Sequence, residues 1–302
     1  MGIRQRAPYF AYRAAAQVAN ALPRPIAAAT AEGLGLVLAR TMDGRRRMLE
    51  RHLRRAYGEG LSDAALDREV RRTFRSYARY WMESFRLMKT SPDDLDGHMT
   101  WEGVGHLEDA FAAGKGAISV MPHLGGWDFG AAWFCALGYP VTVVAERIDP
   151  PELFDWFVSL RSDVGMKVVP LGPEAGPAVL RALKHNELVG LISDRDIGGT
   201  GVEVDFFGER TTLPGGPATL ALRTGAPIIP TAVYFRGRNG HHGVMRPPIV
   251  AERQGRIRDD VARITQRVAD ELEALIRIAP DQWHLLQPNW PSDHEAAKND
   301  PA

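Results

Sequence analysis

The chain has 302 residues, 45% of them apolar, with 37 basic and 37 acidic side chains that cancel to zero net charge. This composition excludes a disordered chain and leaves room for one large α/β domain or two small ones. The lone cysteine, Cys135, excludes a disulfide framework and a cysteine-based zinc cluster.

The zero net charge hides a polarity. Residues 1–90 carry 18 Lys and Arg against 8 Asp and Glu, a surplus of 10 that the remainder, with 19 against 29, cancels. Such asymmetry points to a phosphate-bearing partner for the N-terminal part. No zinc-finger or RNP pattern accompanies it, so the expected partner is an anionic membrane surface and not nucleic acid. Solvated helix faces would produce the same count. The start MGIRQRAPYF adjoins no uninterrupted apolar stretch, so no secretory signal is expected. Residues 14–40 come nearest to a transmembrane helix, but Asn20, Pro23, Arg24, Pro25 and Glu32 break them.

Residues 9–90 read as helices. Tyr9, Tyr12, Ala16 and Ala19 fall at helical spacing, and 26–42 is rich in Ala, Leu and Gly with little polarity. Leu66, Val70, Phe74, Tyr77 and Trp81 share one helical face, while Arg68, Arg71, Arg72, Arg75 and Arg79 take the rest of the surface. Two uses fit this pattern. The aromatic stripe packs in the core with the arginines offered to lipid phosphates, or the helix lies in a membrane interface.

From about residue 100 short apolar runs alternate with helical segments. Strands are expected at 117–121, 141–144, 167–170, 188–192 and 228–235, with helices at 129–137, 151–162, 177–185 and 217–224 between them. Asn239-Gly240 signals a hairpin within 236–243, at a sheet edge. Ile257, Val261, Ile264, Val268, Leu272 and Leu275 mark a last amphipathic helix. The fold class is therefore α/β: a central mixed, mostly parallel sheet flanked by helices. A helical, basic, membrane-facing segment (1–95) is expected to pack on the main domain (96–291), with a polar, frayed tail at 292–302.

Familiar motifs are missing: there is no G-x-S-x-G elbow, P-loop, G-x-G-x-x-G or H-E-x-x-H. His241-His242 lies just past the Asn239-Gly240 turn, where a solvated loop is expected. Neighbouring strand residues point to opposite faces, so the two rings do not make a metal site. The most informative stretch is Ser119-Val-Met-Pro-His-Leu-Gly-Gly-Trp-Asp128. A strand ends before Pro122 and a helix follows the glycines, which sets His123 at a strand exit, where open α/β sheets bind ligands. If Gly125 and Gly126 bend the chain enough for Asp128 to meet the ring, Asp128 would take the Nδ1 proton and leave Nε2 as a general base.

Further segments extend this pattern. His123-Leu-Gly-Gly-Trp-Asp128, Ala145-Glu-Arg147, Asp194-Arg-Asp196, Val204-Asp-Phe-Phe-Gly208 and Leu213-Pro-Gly-Gly-Pro-Ala218 together resemble the bacterial lipid A acyltransferase superfamily. Tyr77-Ala-Arg-Tyr-Trp81 and Asp281-Gln-Trp-His-Leu-Leu-Gln-Pro288 look closest to its actinobacterial phosphatidylinositol mannoside acyltransferases. The resemblance runs from about residue 10 to 291. It implies a glycerolipid-acyltransferase-like fold with an apolar acyl tunnel, on the cytoplasmic face of the membrane. It also implies transfer of a long acyl chain from acyl-CoA, a co-substrate with no further cofactor, to a mannose hydroxyl of a membrane glycolipid.

On that reading His123 is the general base in direct attack, since no serine nucleophile is present. The resemblance makes Asp194 its acidic partner, although the family pattern has glutamate there, one methylene longer. Asp128 and Asp194 would divide orientation of the ring and binding of the sugar between them. The resemblance also places Glu146 and Arg161 along the mannose and thioester region. There Glu146 would bind sugar hydroxyls and Arg161 would polarise the thioester carbonyl or stabilise the tetrahedral oxyanion, unless each only forms a surface ion pair. Arg195 adds a cation near the site. Amides of Gly198-Gly-Thr-Gly201 are expected to form an anion nest for CoA phosphates, assisted by Thr200 and Arg223. Trp127, Trp133, Phe206 and Phe207 are expected either along the acyl channel or in the core. Three alternatives stay open: an acyl-CoA thioesterase, an acyltransferase for a different membrane glycolipid, and a non-enzymatic membrane module.

Overall fold

The computed structural model describes residues 3–58 and 60–299; the first two and last three residues of the expected terminal segments lie outside these. In chain order come α1 (Ile3–Ala21), α2 (Arg24–Thr41), α3 (Asp43–Tyr57), α4 (Asp63–Arg86), α5 (Pro92–Gly97), β1 (Met99–Glu102), α6 (Gly105–Ala112), β2 (Ala117–Met121), α7 (Trp127–Ala136) and β3 (Val141–Ala145). There follow α8 (Pro151–Ser162), β4 (Lys167–Pro170), α9 (Ala175–Lys184), β5 (Leu188–Ile192), β6 (Val202–Phe206), β7 (Glu209–Leu213), α10 (Gly216–Thr224), β8 (Ile228–Arg236), β9 (Gly240–Met245), α11 (Ile257–Ile278) and α12 (Pro291–Asn299).

Seven strands form one sheet in the order β1-β9-β8-β2-β5-β3-β4, antiparallel only between β8 and β9. The central strands are apolar runs buried on both faces, as parallel strands under helices must be. Period-2 alternation sorts their side chains. Ile118, Val120, Val189 and Ile228 pack on the side of α9, α10 and α11, with Val179, Leu183, Ala221, Ile264 and Leu272. Ala117, Leu188 and Ile229 pack on the side of α6 and α7, with Leu107 and Phe134. The Asn239-Gly240 signal is borne out by the β8–β9 hairpin, which pairs Arg236 with Gly240, but the hairpin is not at the sheet edge, because β1 pairs along the outer side of β9. A second hairpin, β6–β7, lies apart from the large sheet and was not expected.

The helical part is organised by α4, which Ser62 caps by accepting a hydrogen bond from the amide of Ala65. Leu66, Val70 and Phe74 pack with Leu49 and Leu53 of α3. One turn further, Ala78, Met82 and Phe85 meet α1, α2 and α8. The stripe of α4 thus packs in the core, and four of its arginines pair with acids of the protein. Arg71 pairs with Asp67, Arg72 with Glu69, Arg75 with Glu32 and Arg79 with Glu83. Helix α2 turns its small residues inward, burying Ala27, Ala31, Gly35 and Ala39. A Cβ on Gly35 would stand 2.6 Å from the carbonyl oxygen of Phe74, so the two backbones touch there.

The tail beyond Pro291 is not frayed. It forms α12, held because Asp293 is wholly buried between Arg51, His52 and Arg55. A polar sequence gave no hint of this, since the acid finds its partners on a helix more than 230 positions away.

Candidate active site

Strands β2, β5 and β3 are neighbours, and their C-terminal ends deliver His123, Asp194 with Arg195, and Glu146 to one edge of the sheet. Gly125 makes the turn out of β2 possible. Its φ is +62°, and a Cβ there would lie 2.0 Å from the carbonyl oxygen of Val233. Gly126 donates its amide to that same oxygen, and its own Cβ would collide with the His241 ring.

The bend turns His123 towards Asp194. Nδ1 of the ring lies 2.7 Å from one carboxylate oxygen, and the His123 amide donates to the other at 2.9 Å. The shorter arm of aspartate is therefore long enough. The indole of Trp283 also donates to Asp194, at 2.8 Å. Burial alone would raise the pKa of Asp194, but the imidazole and these donors hold it below the usual carboxylate range. The carboxylate is fully enclosed, whereas the His123 side chain is 29% exposed. Its Nε2 has no hydrogen-bond partner among the described residues. If Nδ1 carries the proton towards Asp194, Nε2 is the nitrogen left open to accept one, the arrangement that general-base chemistry needs.

The family model for bacterial lipid A biosynthesis acyltransferases matches residues 3–292. The chain belongs to the bacterial lipid A biosynthesis acyltransferase family. It is 39% identical over 248 residues to the phosphatidylinositol mannoside acyltransferase of Mycolicibacterium smegmatis, covering 81% of this chain and 79% of that one. To the protein of the same name from Mycobacterium tuberculosis it is 41% identical over 223 residues, covering 72% of this chain and 69% of that one. The lipid A biosynthesis acyltransferase of Haemophilus influenzae is 28% identical over 186 residues, 60% of this chain and 55% of that one.

Around the pair, the remaining expectations for this acyltransferase divide. Asp128 does not serve the imidazole. Its carboxylate accepts from Arg161 at 2.8 and 2.9 Å and from the Tyr80 hydroxyl at 2.8 Å, because position 128 already lies in the first turn of α7 and faces α4 and α8. Burial works to lower the Arg161 pKa, but Asp128 and Tyr80 outweigh it and hold the guanidinium above its ordinary value. The family-implied carbonyl polariser thus has two of its nitrogens engaged by Asp128. Trp127 stacks on Tyr80 at 4.0 Å and meets His123 edge-on at 5.8 Å, linking this cluster to the imidazole. A small cavity lined by Trp81, Leu87, Phe157 and Leu160 adjoins Asp128 and Arg161.

Arg195 pairs with Glu146, Nη1 to carboxylate 3.6 Å, rather than with either neighbouring aspartate. The expected anion nest is filled by the protein's own Asp196. Its carboxylate accepts from the amides of Gly198, Gly199 and Gly201 at 3.1, 3.0 and 2.7 Å, so these donors do not await a CoA phosphate. Thr200 and Arg223 are both exposed, and neither has a hydrogen bond or ion pair to His123 among the described residues. Phe206 and Phe207 are core residues rather than channel lining, packed on Trp290 and Trp283. Trp133 likewise joins Trp101 and Phe134.

His241 and His242 stand on β9 rather than in a solvated loop. His241 is buried, stacked 3.8 Å over Phe129 with Nε2 on Glu83, while His242 meets Thr100. Sequence reasoning gave no role to Trp283, His284 or Asn289, although the first two stand in a motif that carried the family resemblance. Asn289 donates to the Asp194 carbonyl oxygen at 2.9 Å, and the amide of His284 donates to that of His123 at 2.6 Å.

Proposed function

We propose that this enzyme moves a long-chain acyl group from acyl-CoA to a mannose hydroxyl of a phosphatidylinositol mannoside. His123 acts as general base in a direct attack. The acceptor hydroxyl hydrogen-bonds Nε2 and gives up its proton as its oxygen bonds to the thioester carbonyl carbon. The tetrahedral intermediate then breaks its C–S bond, and the imidazolium returns the proton to the departing CoA sulfur. Asp194 orients the ring through Nδ1 and stabilises the transient cation without taking the proton. The observation that carries this reading is the half-open ring: Nδ1 held by a buried carboxylate and Nε2 without a protein partner among the described residues. The acceptor class rests on the two mycobacterial relatives, whose names specify it.

We also propose a peripheral position on the cytoplasmic face of the membrane, with the outer faces of α1 and α2 in contact with lipid. Phe10, Val18, Ile26, Leu34 and Val37 each leave about half their surface exposed. On α2 the large side chains point away from the protein and the small ones towards it, the arrangement suited to helices whose outer face meets lipid. No helix among the described residues is long and apolar enough to cross a membrane.

Purified enzyme, palmitoyl-CoA and phosphatidylinositol mannosides in anionic vesicles test the proposal. Free CoA and acylated glycolipid should appear in equal amounts, and Leu34→Glu should weaken co-sedimentation with the vesicles. Release of CoA without acylated lipid would make the enzyme a thioesterase.

A further inference from the structure

We infer that Trp283 is the positioning residue of the His123–Asp194 pair. The inference depends on the acyltransfer reading only for its kinetic readout. Asp194 sits in a complete ring of donors: one oxygen receives the imidazole, the other receives the His123 amide and the Trp283 indole, and its carbonyl receives Asn289. The indole is the only one of these donors to the carboxylate that comes from outside the dyad itself. Trp283 is wholly buried, its ring wedged against Phe207 and His52, both at 5.5 Å, and it has no solvent-facing alternative.

The main chain around Trp283 grips the other half of the pair. Trp283 bridges Leu124 in antiparallel fashion, Gly125 donates to the Gln282 carbonyl oxygen at 2.9 Å, and His284 donates to that of His123 at 2.6 Å. One short strap therefore fixes the base through its backbone and the acid through its side chain. Because one residue touches both, it sets the angle between them.

The chemical consequence follows from sharing the charge. A carboxylate that accepts three hydrogen bonds spreads its charge over more donors, so it is a weaker base and pulls less on the Nδ1 proton. Asp194 stays an anion that orients the ring. Removing the indole donor strengthens the pull of Asp194 and favours the imidazolium. The titration of His123 then moves to higher pH.

Trp283→Phe removes the donor and keeps the ring. The acid limb of kcat/KM should move to higher pH and kcat should drop about tenfold, the rate equivalent of one charge-assisted hydrogen bond, with KM for the acyl donor unchanged. In substrate-free protein, NMR titration of ¹⁵N-labelled histidines should show the same upward move of the His123 midpoint. An unmoved midpoint, with only thermal stability lowered, would overturn the inference and leave Trp283 a packing residue. If the variant does not fold, the wild type still decides. The indole N–H resonance of Trp283 should follow the His123 titration, and a resonance indifferent to it would overturn the proposal. A shifted midpoint in a protein that transfers no acyl group would sink the acyltransfer reading and leave this one standing.

Discussion

Two histidine–aspartate pairs, at opposite ends of the chain's business, share nearly the same contact and differ in everything else. His123 meets Asp194 at 2.7 Å on the edge of the sheet, and His52 meets Asp293 at 3.0 Å where α12 docks on α3. Both carboxylates are fully enclosed. The difference lies in the second ring nitrogen. Nδ1 of His52 faces the Leu285 carbonyl oxygen at 2.9 Å inside the core, whereas Nε2 of His123 is left open on a ring 29% exposed. A carboxylate on one nitrogen orients a histidine. Only access to the other makes it available for proton transfer.

The sharpest way to break this contrast is His123→Ala. Loss of a general base should cost about 10²–10⁴-fold in turnover, with little change in thermal midpoint because the ring stands at a partly open edge. Near-wild-type acyl transfer by that variant would end the distinction between the two pairs. Asp293→Asn should do the reverse. It leaves Arg51, His52 and Arg55 without their shared anion, at a cost of about 3 kcal/mol in stability read by denaturant unfolding, while the folded fraction turns over normally. Turnover lost in fully folded Asp293→Asn protein would mean that the anchor is part of the catalytic apparatus.

A smaller effect separates His284 from both. Burial, aided by the nearby His123, drives its pKa down from 6.5 to about 3, and its Nε2 is held by Ser76 at 2.8 Å. The unfolded chain protonates this ring below 6.5 and the folded chain only near 3, so its contribution to stability is whole above 6.5 and drains away as the pH falls towards 3. His284→Gln should flatten the fall of the thermal midpoint across that window. Identical curves for variant and wild type would show that the buried ring does not govern acid stability.

Much of this fold was legible because burial imposes period. The strands at 117–121, 167–170 and 188–192 were read to the residue; each is a short, mostly apolar run, and the first is bounded by Gly116 and Pro122. The β6–β7 hairpin escaped because its two-residue turn is Phe207-Gly208, with Phe207 at φ 54°, a conformation that asparagine or glycine usually announces. Strand β1 escaped as a short edge strand of four residues. At the site, His123 was found from its place after a strand. Asp128 was equally plausible by spacing and found a different partner, because helix α7 carries it to Arg161 and Tyr80.

What the residue order determined by itself was the alternation that makes an α/β sheet, the histidine at the exit of its central strand, and the motifs that place the chain in its family. These are local properties, written in period and spacing. Tertiary structure decided that Asp194 and not Asp128 meets the imidazole, that Asp196 fills the glycine nest, and which side of α2 faces out. The first and last depend on the approach of segments tens of positions apart, of which neighbouring residues carry no record, whereas the nest closes within five residues and depends on how the loop folds back on itself.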